Sequence, residues 1–370
     1  MPREPNAIDF WRGFALVSIF INHIPGIYYS HFTHANVSIS DSADLFVFLA
    51  GWSLRLLAGE GGRRQPTWYL VLRLSSRALT LYAAQIMITM IAIAILAATA
   101  IIRDNPLLLE WHNASAVFHD PVPTHIGLAL VTHQLGYFDI LPLYVVLMLM
   151  APGIAVIDRY APNRVLPLSL AGYLAVLAAR FDLPTWPVQG QWFFNPLAWQ
   201  IVFVLGFVLA RPEGIGHWVR RHIWLLRWLG LPIVIAGVLV VWNAWWPDPT
   251  RMPQPRLFFI ADKTYVTPMR LIQFLALVAV FSATFPHIRK AVPPLVPFLS
   301  MLGRNSLNVF CVGSLLSLSA QIVRSIYHGS LVADTVVVII GIAVMAFTAW
   351  LPEWRESLRQ RREPVAQSVS

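Results

Sequence analysis

Long apolar segments separated by short polar ones dominate the chain, and their lengths fit helices that cross a membrane. A hydrocarbon core of about 30 Å needs about 20 apolar residues in helical form. By this measure the pattern predicts an all-α, polytopic membrane helix bundle with about ten transmembrane helices. The predicted spans lie near residues 7–25, 41–58, 69–102, 137–157, 165–181, 196–211, 223–246, 267–286, 298–322 and 331–351. The bundle then occupies residues 1–351, and residues 352–370 form a short cytoplasmic tail for which we expect disorder.

The composition changes the choice of protein class. Hydrophobic residues make up 57% of the chain and charged residues only 12%, whereas soluble domains carry about 25% charged residues. The net charge of +9 would suit nucleic acid, but in a membrane protein such a surplus belongs to cytoplasmic loops. We therefore expect a multi-pass membrane protein in contact with lipid, without a nucleic-acid partner.

Lysine and arginine residues are concentrated in every second predicted loop. The loops 26–40 and 182–195 contain neither residue type, whereas the connections on the other side are basic. These basic connections include Arg63, Arg64, Arg159, Arg164, Arg211, Arg220, Arg221, Arg289 and Lys290. The positive-inside rule then predicts both termini in the cytoplasm. The loop 247–266 is an exception, because it carries cations although it faces outward on this topology.

Arg12 and His23 both lie in the first apolar segment. Ionisable side chains are costly there and are therefore candidates for function. A rise of about 1.5 Å per residue places them roughly 16 Å apart along the helix axis. The predicted topology places Arg12 near the cytoplasmic face and His23 in the outer half. Each has a second interpretation, because Arg12 could extend its charge to the interface and His23, before Pro25, could cap the helix end.

Further polar residues divide between the two sides of the predicted bundle. The inward set consists of Arg73, Arg77 and Arg304, and the outward set of Asp41, Asp44, Asn195, Gln200, Lys263 and Arg270. Arginines near the inner face suit a polyphosphate, since their planar guanidinium groups match phosphate geometry. A histidine near the midplane suits a general base. A donor with phosphate groups, such as acyl-CoA, and a hydroxyl acceptor from outside could therefore meet at His23.

Several of these residues also have structural interpretations. Arg73 and Arg77 share one helix face and could extend their charges to the interface, while Asp41 could cap the second helix. The segment 303–308 could serve helix packing through its small and amide residues. Four histidines, which we expect to be solvated, match no metal-binding spacing: His112, His119, His125 and His133.

Five segments resemble the OpgC-type membrane proteins, which belong with the acyltransferase-3 group. The sequence DFWRG at 9–13, followed by Asn22-His23, is similar to their first helix, and DSADLFVFLAG at 41–51 is similar to their second. The ten residues between Arg12 and His23 match the acyltransferase-3 spacing. Shorter similarities lie at 139–144, 194–200 and 303–307. Together these segments extend from the first predicted helix to the ninth.

The resemblance implies a bacterial inner-membrane O-acyltransferase that transfers an acyl group, with succinyl as the first expectation, from cytoplasmic acyl-CoA to a periplasmic glucan. Acyl-CoA is then a co-substrate, and we expect no tightly bound cofactor and no metal. The resemblance implies that His23 is catalytic, and we expect Asp44 or Asp41 to orient it. The expected donor-binding residues are Arg12, Arg73, Arg77 and Arg304, and the expected acceptor or transition-state contacts are Asn195, Gln200, Lys263 and Arg270. The acyltransferase-3 proteins have a more closely spaced arginine pair in the third helix than Arg73 and Arg77. The donor-binding role is therefore not carried over to both residues, and Arg77 is the preferred candidate.

Two other functions fit the same polar residues. One is a transporter or flippase for a glycan, lipid or acyl carrier, and the other is a non-catalytic assembly partner in glycan export. Transporters often carry interrupted helices at corresponding places in two halves, and the sequence shows no such pair. The sequence leaves open whether His23 deprotonates the acceptor hydroxyl or carries the acyl group transiently. It also leaves open the acyl group, the form of the glucan, the acylated position and a homo-oligomeric state.

Overall fold

The computed structural model describes residues 4–59, 66–327 and 329–367, and the regular elements of these residues are helical. The α-helices are α1 (Ala7–Asn22), α2 (Ser42–Gly59), α3 (Thr67–Ile102), α4 (Ala116–His119), α5 (Pro121–Ala129), α6 (Ile140–Tyr160), α7 (Val165–Ala179), α8 (Pro196–Leu209), α9 (Gly214–Arg221), α10 (Ile223–Trp242), α11 (Pro268–Phe281), α12 (Phe285–Ala291), α13 (Leu295–Arg304), α14 (Ser306–Tyr327) and α15 (Leu331–Gln367). The prediction of an all-α protein is confirmed. Arg63 and Arg64, which support the predicted topology, lie outside the described residues.

Several helices have the length and composition of membrane spans. Among the described residues, six are long and apolar enough to cross a membrane: α2, α3, α6, α10, α14 and α15. The number rises to eight if the bent pairs α8–α9 and α11–α12 each form one span. Helix α1, with 16 residues, and α7, with 15, are shorter than the usual span of about 20. The chain therefore has the character of a multi-pass membrane protein, while the higher predicted number of spans and the side of the termini stay predictions.

The predicted span over 298–322 is not one continuous helix. Helix α13 ends at Arg304 and α14 begins at Ser306, with Asn305 as the residue between them. The side-chain amide of Asn305 donates to the carbonyl oxygen of Met301 at 3.1 Å. Side chains that bond to the local backbone in this way compete with helix continuation. The predicted ninth span thus consists of two helices, and hydropathy alone does not register this local competition.

Helix α15 continues well beyond Leu351 and ends at Gln367. The structure thus has helix where the polar composition suggested a disordered tail. Two contacts support the turn that follows Leu351: Glu353 forms an ion pair with Arg304, and Trp354 stacks on Trp350 at 5.5 Å between ring centroids. Both depend on tertiary or helical neighbours, which composition does not reveal.

The chain divides into two compact units. The first contains the described residues up to Asn36 and from Phe281 onward, and in it α1 packs against α13 and α14, and α14 against α15. The second contains Val37–Val280. In this unit α2 packs against α8, α3 against α6, and α7 against α8.

Glycines allow close backbone approach where α1 crosses α13. A Cβ atom added at Gly303 would lie 1.8 Å from the carbonyl oxygen of Asp9, and one added at Gly13 would lie 1.9 Å from that of Leu299. Small residues at such crossings let two helix backbones touch. The packing interpretation of Gly303 is thus correct.

We expect Gly303→Ala to destabilise the protein by about 1–3 kcal/mol, because one of the two helices has to move. The matched control is Gly172→Ala in α7, where no atom lies within 4 Å of the added Cβ. Thermal unfolding of the purified protein in detergent measures both variants. Equal unfolding midpoints for the two would contradict the close approach of α1 and α13.

His133 is buried, with 3% of its surface exposed, so the expectation that it is solvated was wrong. Its Nε2 donates to the carbonyl oxygen of Asn113 at 3.2 Å. Burial lowers the pKa of His133, and the bond to Asn113 opposes this only in part. The spacing of the histidines along the chain could not show that the segment around Asn113 packs against His133.

The lowered pKa predicts a loss of stability in acid. As the pH falls below the ordinary histidine pKa of about 6.5, the unfolded chain takes up a proton at His133 that the folded protein does not. The wild type should therefore lose about 1.4 kcal/mol for each unit by which the pKa is lowered, once the pH is below both values. His133→Gln keeps a donor and should remove this part of the loss between pH 7 and pH 5. The exposed His125 gives the control, His125→Gln, and indistinguishable pH profiles for all three proteins would refute the prediction.

Candidate functional site

His23 lies at the C-terminal end of α1 in the first unit. Its backbone N–H donates to the carbonyl oxygen of Ile19 at 3.0 Å and closes the last turn. Pro25 follows and cannot continue the helix, and Gly26 has φ +73°, a conformation that glycine adopts without strain. The backbone of His23 thus caps α1, while its side chain is half-buried. A histidine in this place combines a fixed backbone with partial shielding from water.

Polar side chains from α14 and α15 hold the same end of α1. Gln321 Nε2 donates to the carbonyl oxygen of His23 at 2.5 Å. Arg324 Nη2 donates to the carbonyl oxygen of Gly26 at 2.7 Å, and Arg324 also forms an ion pair with Asp334. The backbone from His23 to Gly26 is therefore held by α14.

The chain after α1 returns to the same place. Thr33 Oγ1 donates to Asn22 Oδ1 at 2.6 Å, so the residue before His23 is tied to the following loop. The backbone N–H of Tyr28 donates to Asp334 Oδ2 at 3.0 Å. Asp334 is buried, with 3% of its surface exposed, and it connects this loop to Arg324. The surroundings of His23 thus form a polar cluster within a largely apolar unit.

Arg12 and Arg304 lie toward the other end of α1. Arg12 Nη1 is 3.9 Å from Asp9 Oδ1, and Gly303 is the residue that meets the backbone of Asp9. Arg304 binds Glu353 through two bonds, with Nε at 2.8 Å and Nη2 at 3.0 Å. A donor phosphate would therefore have to share Arg304 with a carboxylate. The donor-binding role of both arginines stays a prediction.

Arg73 and Arg77 lie on α3 in the second unit. Arg73 is half-buried and Arg77 is exposed. The four arginines predicted to bind the donor are thus divided between the two units, with Arg12 and Arg304 in the first. The structure therefore does not bring all four together within one unit.

Asp41, Asp44, Lys263 and Arg270 form one ion-pair cluster at the start of α2 in the second unit. Arg270 binds Asp44 with Nε at 3.1 Å and Nη2 at 2.5 Å, and its Nη2 lies 3.1 Å from Asp41 Oδ2. Lys263 Nζ lies 2.6 Å from the same oxygen of Asp41. Lys263 and Arg270 thus each contact a carboxylate that we expected to orient His23, and the orientation of His23 by Asp44 or Asp41 stays a prediction. Two positive and two negative groups balance one another.

The members of this cluster differ in exposure. Asp44 is completely buried, at 0%, and Arg270 is 6% exposed. Asp41 is half-buried and accepts a bond from the backbone N–H of Ala43 at 2.8 Å, so its predicted capping role is also present. Lys263 is the most accessible cation, with 31% of its side chain exposed. A polar acceptor would reach Lys263 more readily than Arg270.

Aromatic rings accompany the accessible lysine. Lys263 Nζ lies 5.4 Å from the centroid of the Phe193 ring and 5.2 Å from that of Phe194. A cation over an aromatic face is attracted by the ring electrons. The backbone of Lys263 is fixed as well, because its carbonyl oxygen accepts a bond from Trp199 Nε1 at 3.0 Å.

Asn195 and Gln200 have structural partners. Asn195 caps α8 by accepting from the backbone N–H of Leu197 at 3.0 Å, and it donates to the carbonyl oxygen of Phe181 at 2.7 Å. Gln200 accepts from Ser169 Oγ at 2.6 Å and donates to the carbonyl oxygen of the same residue at 2.8 Å. These bonds hold α8 in place, and the predicted contact of either residue with an acceptor stays a prediction.

Several polar residues in or near these parts of the structure were not among the candidates from the sequence: Gln321, Arg324, Asp334, Glu353 and Gln273. Gln273 Oε1 accepts bonds from Ser38 Oγ and Ser40 Oγ, both at 2.9 Å. Most of the missed residues follow the last resembling segment, and Gln273 lies one turn after Arg270. For Asp334 a signal was available, because this residue lies within the predicted span 331–351, where charges are rare.

Comparisons with known proteins identify the family. A family model described as OpgC protein matches residues 3–357, nearly the whole chain. No curated protein matches the chain, and no solved structure matches it. Within the described residues, no group of three or more His, Cys, Asp or Glu side chains could hold a metal ion. Membership of the matched family suggests an acyltransferase. Since the match covers far more than half of its length, the chain belongs to the OpgC family.

Proposed function

We propose that this protein is a bacterial inner-membrane O-acyltransferase that moves an acyl group, in the first instance succinyl, from cytoplasmic acyl-CoA to a hydroxyl group of a periplasmic glucan. The match to the OpgC family over residues 3–357 is the observation that carries this proposal. Acyl-CoA is the co-substrate, and the chemistry needs no tightly bound cofactor.

His23 acts as the general base. The acceptor hydroxyl oxygen attacks the thioester carbonyl carbon while His23 takes the hydroxyl proton. The carbon–sulfur bond then breaks, and the leaving thiolate of coenzyme A receives the proton from His23. The half-buried side chain and the backbone bonds to Ile19 and Gln321 support this role, since a catalytic base has to be held within reach of its substrate.

The ion-pair cluster of the second unit serves the acceptor side of the proposal. Lys263 and Arg270 supply the positive groups for an acceptor or for the charge that develops in the transition state. Asp41 and Asp44 hold these two cations in place, which is a positioning role. Pairing of both cations with carboxylates supports this division of roles.

Arginines serve the donor side. Arg12, Arg77 and Arg304 are the proposed partners of the donor phosphates, because guanidinium groups bind phosphate oxygens through two bonds at once. Arg77 is exposed, so a donor phosphate can approach it from solvent. Arg304 would act while it is held by Glu353.

Proteoliposomes with the purified full chain test this function. Succinyl-CoA labelled in the succinyl group is supplied on one side and a glucan on the other, and we expect covalent label on the glucan. Passage of label across the membrane without acylation would replace the proposal with the transporter alternative. Neither acylation nor passage, by a protein shown to be folded, would favour the assembly partner.

A further inference from the structure

The second unit contains a pocket whose lining includes none of the candidate site residues described above. Its volume is about 440 Å³, and its walls come from the ends of α2 and α6, the start of α3 and the connection between α8 and α9. Its charged lining residues are Arg55, Asp158, Arg159, Arg211 and Glu213. Pockets for small molecules have volumes of about 300–1,000 Å³. The size is therefore suitable for part of a metabolite or for a lipid headgroup.

Two arginines converge on one carboxylate in this pocket. Arg55 Nη1 forms an ion pair with Asp158 Oδ2, and Arg211 Nη1 lies 3.4 Å from Asp158 Oδ1. Each guanidinium carries several N–H donors, so the two together offer more donors than one carboxylate accepts. Asp158 thus brings two cations together and leaves some of their N–H donors for other hydrogen bonds.

Both guanidinium groups are held in place by further contacts. The Arg55 guanidinium lies over the ring of Phe207, 5.6 Å from its centroid. Arg211 Nη1 donates to the carbonyl oxygen of Pro162 at 3.1 Å. Groups that are already fixed lose little freedom when a ligand binds. The two guanidinium groups are therefore already in position before an anion binds.

Neutralisation of helix ends does not account for this arrangement. The C-terminal ends of α2, α6 and α8 lie at this pocket, and cations there offset the helix dipoles. Arg220 serves this purpose, because its Nη1 donates to the carbonyl oxygen of Leu209 at 3.0 Å. Arg55 and Arg211 instead face Asp158. Among the described residues, the lining holds three guanidinium groups and two carboxylates, which leaves one net positive charge.

We propose that this pocket binds a phosphate group of an anionic ligand, with Arg55, Arg159 and Arg211 as its partners and Asp158 as the residue that positions them. Arginine suits this chemistry because its planar donors match phosphate oxygens. Two ligands carry such a group, the nucleotide end of coenzyme A and the headgroup of an anionic phospholipid. The first rests on the proposed function, and the second does not. The positive-inside rule assigns Arg159 and Arg211 to the cytoplasmic side, where both ligands occur.

Binding of coenzyme A to the full chain in phosphatidylcholine nanodiscs tests the first source by titration calorimetry. We expect Arg211→Gln to weaken binding by about tenfold to a hundredfold, since a charged hydrogen-bond partner is lost. Asp158→Asn removes the carboxylate that positions Arg55 and Arg211 and should therefore also weaken binding. The matched control is Arg221→Gln, which removes the same charge from the exposed face of α9 and should bind as the wild type does.

Retention of phosphatidylglycerol tests the second source. The protein is extracted from nanodiscs that contain this lipid, and native mass spectrometry counts the lipid molecules that remain bound. A loss of bound lipid in Arg211→Gln, together with unchanged binding of coenzyme A, would assign the pocket to a phospholipid. Unfolding midpoints show which variants are folded, and Arg159→Gln replaces Arg211→Gln if the latter is not.

The outcomes separate this proposal from the proposed function. If folded Arg211→Gln and Arg159→Gln bind both probes as the wild type does, the pocket proposal is overturned, and acyl transfer can still proceed. If the wild type binds phosphatidylglycerol but no coenzyme A, and Arg211→Gln loses the lipid, the pocket proposal stands and the proposal of acyl-CoA as the donor does not. Weaker binding in Arg211→Gln together with unchanged or tighter binding in Asp158→Asn would contradict the positioning role of Asp158.

Discussion

His23→Ala should lower the turnover of acyl transfer by about 100- to 10,000-fold, which is the contribution expected of a general base. The protein should remain folded, because the bonds that hold this residue to Ile19 and Gln321 involve its backbone, which alanine retains. Turnover is measured with labelled succinyl-CoA and glucan in proteoliposomes. The binding of the acyl donor should change little, since the substitution removes a proton acceptor rather than a cation.

The matched control for this experiment is His31→Ala. His31 lies eight positions further along the chain, is exposed, and its Nδ1 bonds to the carbonyl oxygen of Tyr28. It has no proposed part in proton transfer, so turnover should stay near that of the wild type. Near-normal turnover of folded His23→Ala would remove this residue from the mechanism. Equal losses in both histidine variants would point instead to a change in the structure around the end of α1.

Arg270→Met should destabilise the protein by about 3–5 kcal/mol, because it leaves the completely buried Asp44 without its partner. Arg270 makes two of its bonds to this carboxylate, and a further bond at 2.8 Å to the carbonyl oxygen of Ile39. Chemical unfolding in detergent measures the change in the free energy of unfolding. A change below about 1 kcal/mol, the size typical of exposed ion pairs, would contradict the burial of this pair.

The double variant Asp44→Leu with Arg270→Met distinguishes the contribution of the two charges from that of side-chain packing. Replacement of both charges by apolar side chains removes the unpaired charge as well as the attraction, and such replacements are often neutral. We expect the double variant to be more stable than Arg270→Met alone. It should still lose acyl-transfer activity, because the proposed cation on the acceptor side is absent. Full activity of a stable double variant would reduce this pair to a structural role.

The sequence was sufficient for the class of the protein and for the general position of its polar residues. The hydropathy pattern predicted the apolar helices, and the rarity of charges in them identified His23, Asp44 and Arg270 as exceptional. Charge also suggested that Asp44 and Arg270 belong to one side of the predicted bundle. Their pairing could not be predicted, because 226 positions separate them and nothing local specifies which helices pack together.

Local chemistry explains the other differences. The side-chain amide of Asn305 interrupts a segment whose hydropathy is continuous, and Glu353 acquires a partner only when α15 packs beside Arg304. Arg55 had a signal of the same kind as Arg12, since it lies within a predicted span. The sequence analysis did not use it, because no resembling segment contains it. Rare charges in apolar segments were thus more informative than the resemblance alone at this position.

The long separation of Asp44 and Arg270 also bears on how the protein is made. At about 5–20 residues per second, synthesis of the 226 intervening positions takes roughly 11–45 s. Throughout that interval α2 exists without the side chain that neutralises its carboxylate. During this time α2 must either remain at the membrane surface, carry Asp44 in its protonated form, or pair Asp44 with another cation. The rate at which the ribosome reaches Arg270 therefore sets the earliest moment at which the second unit can close.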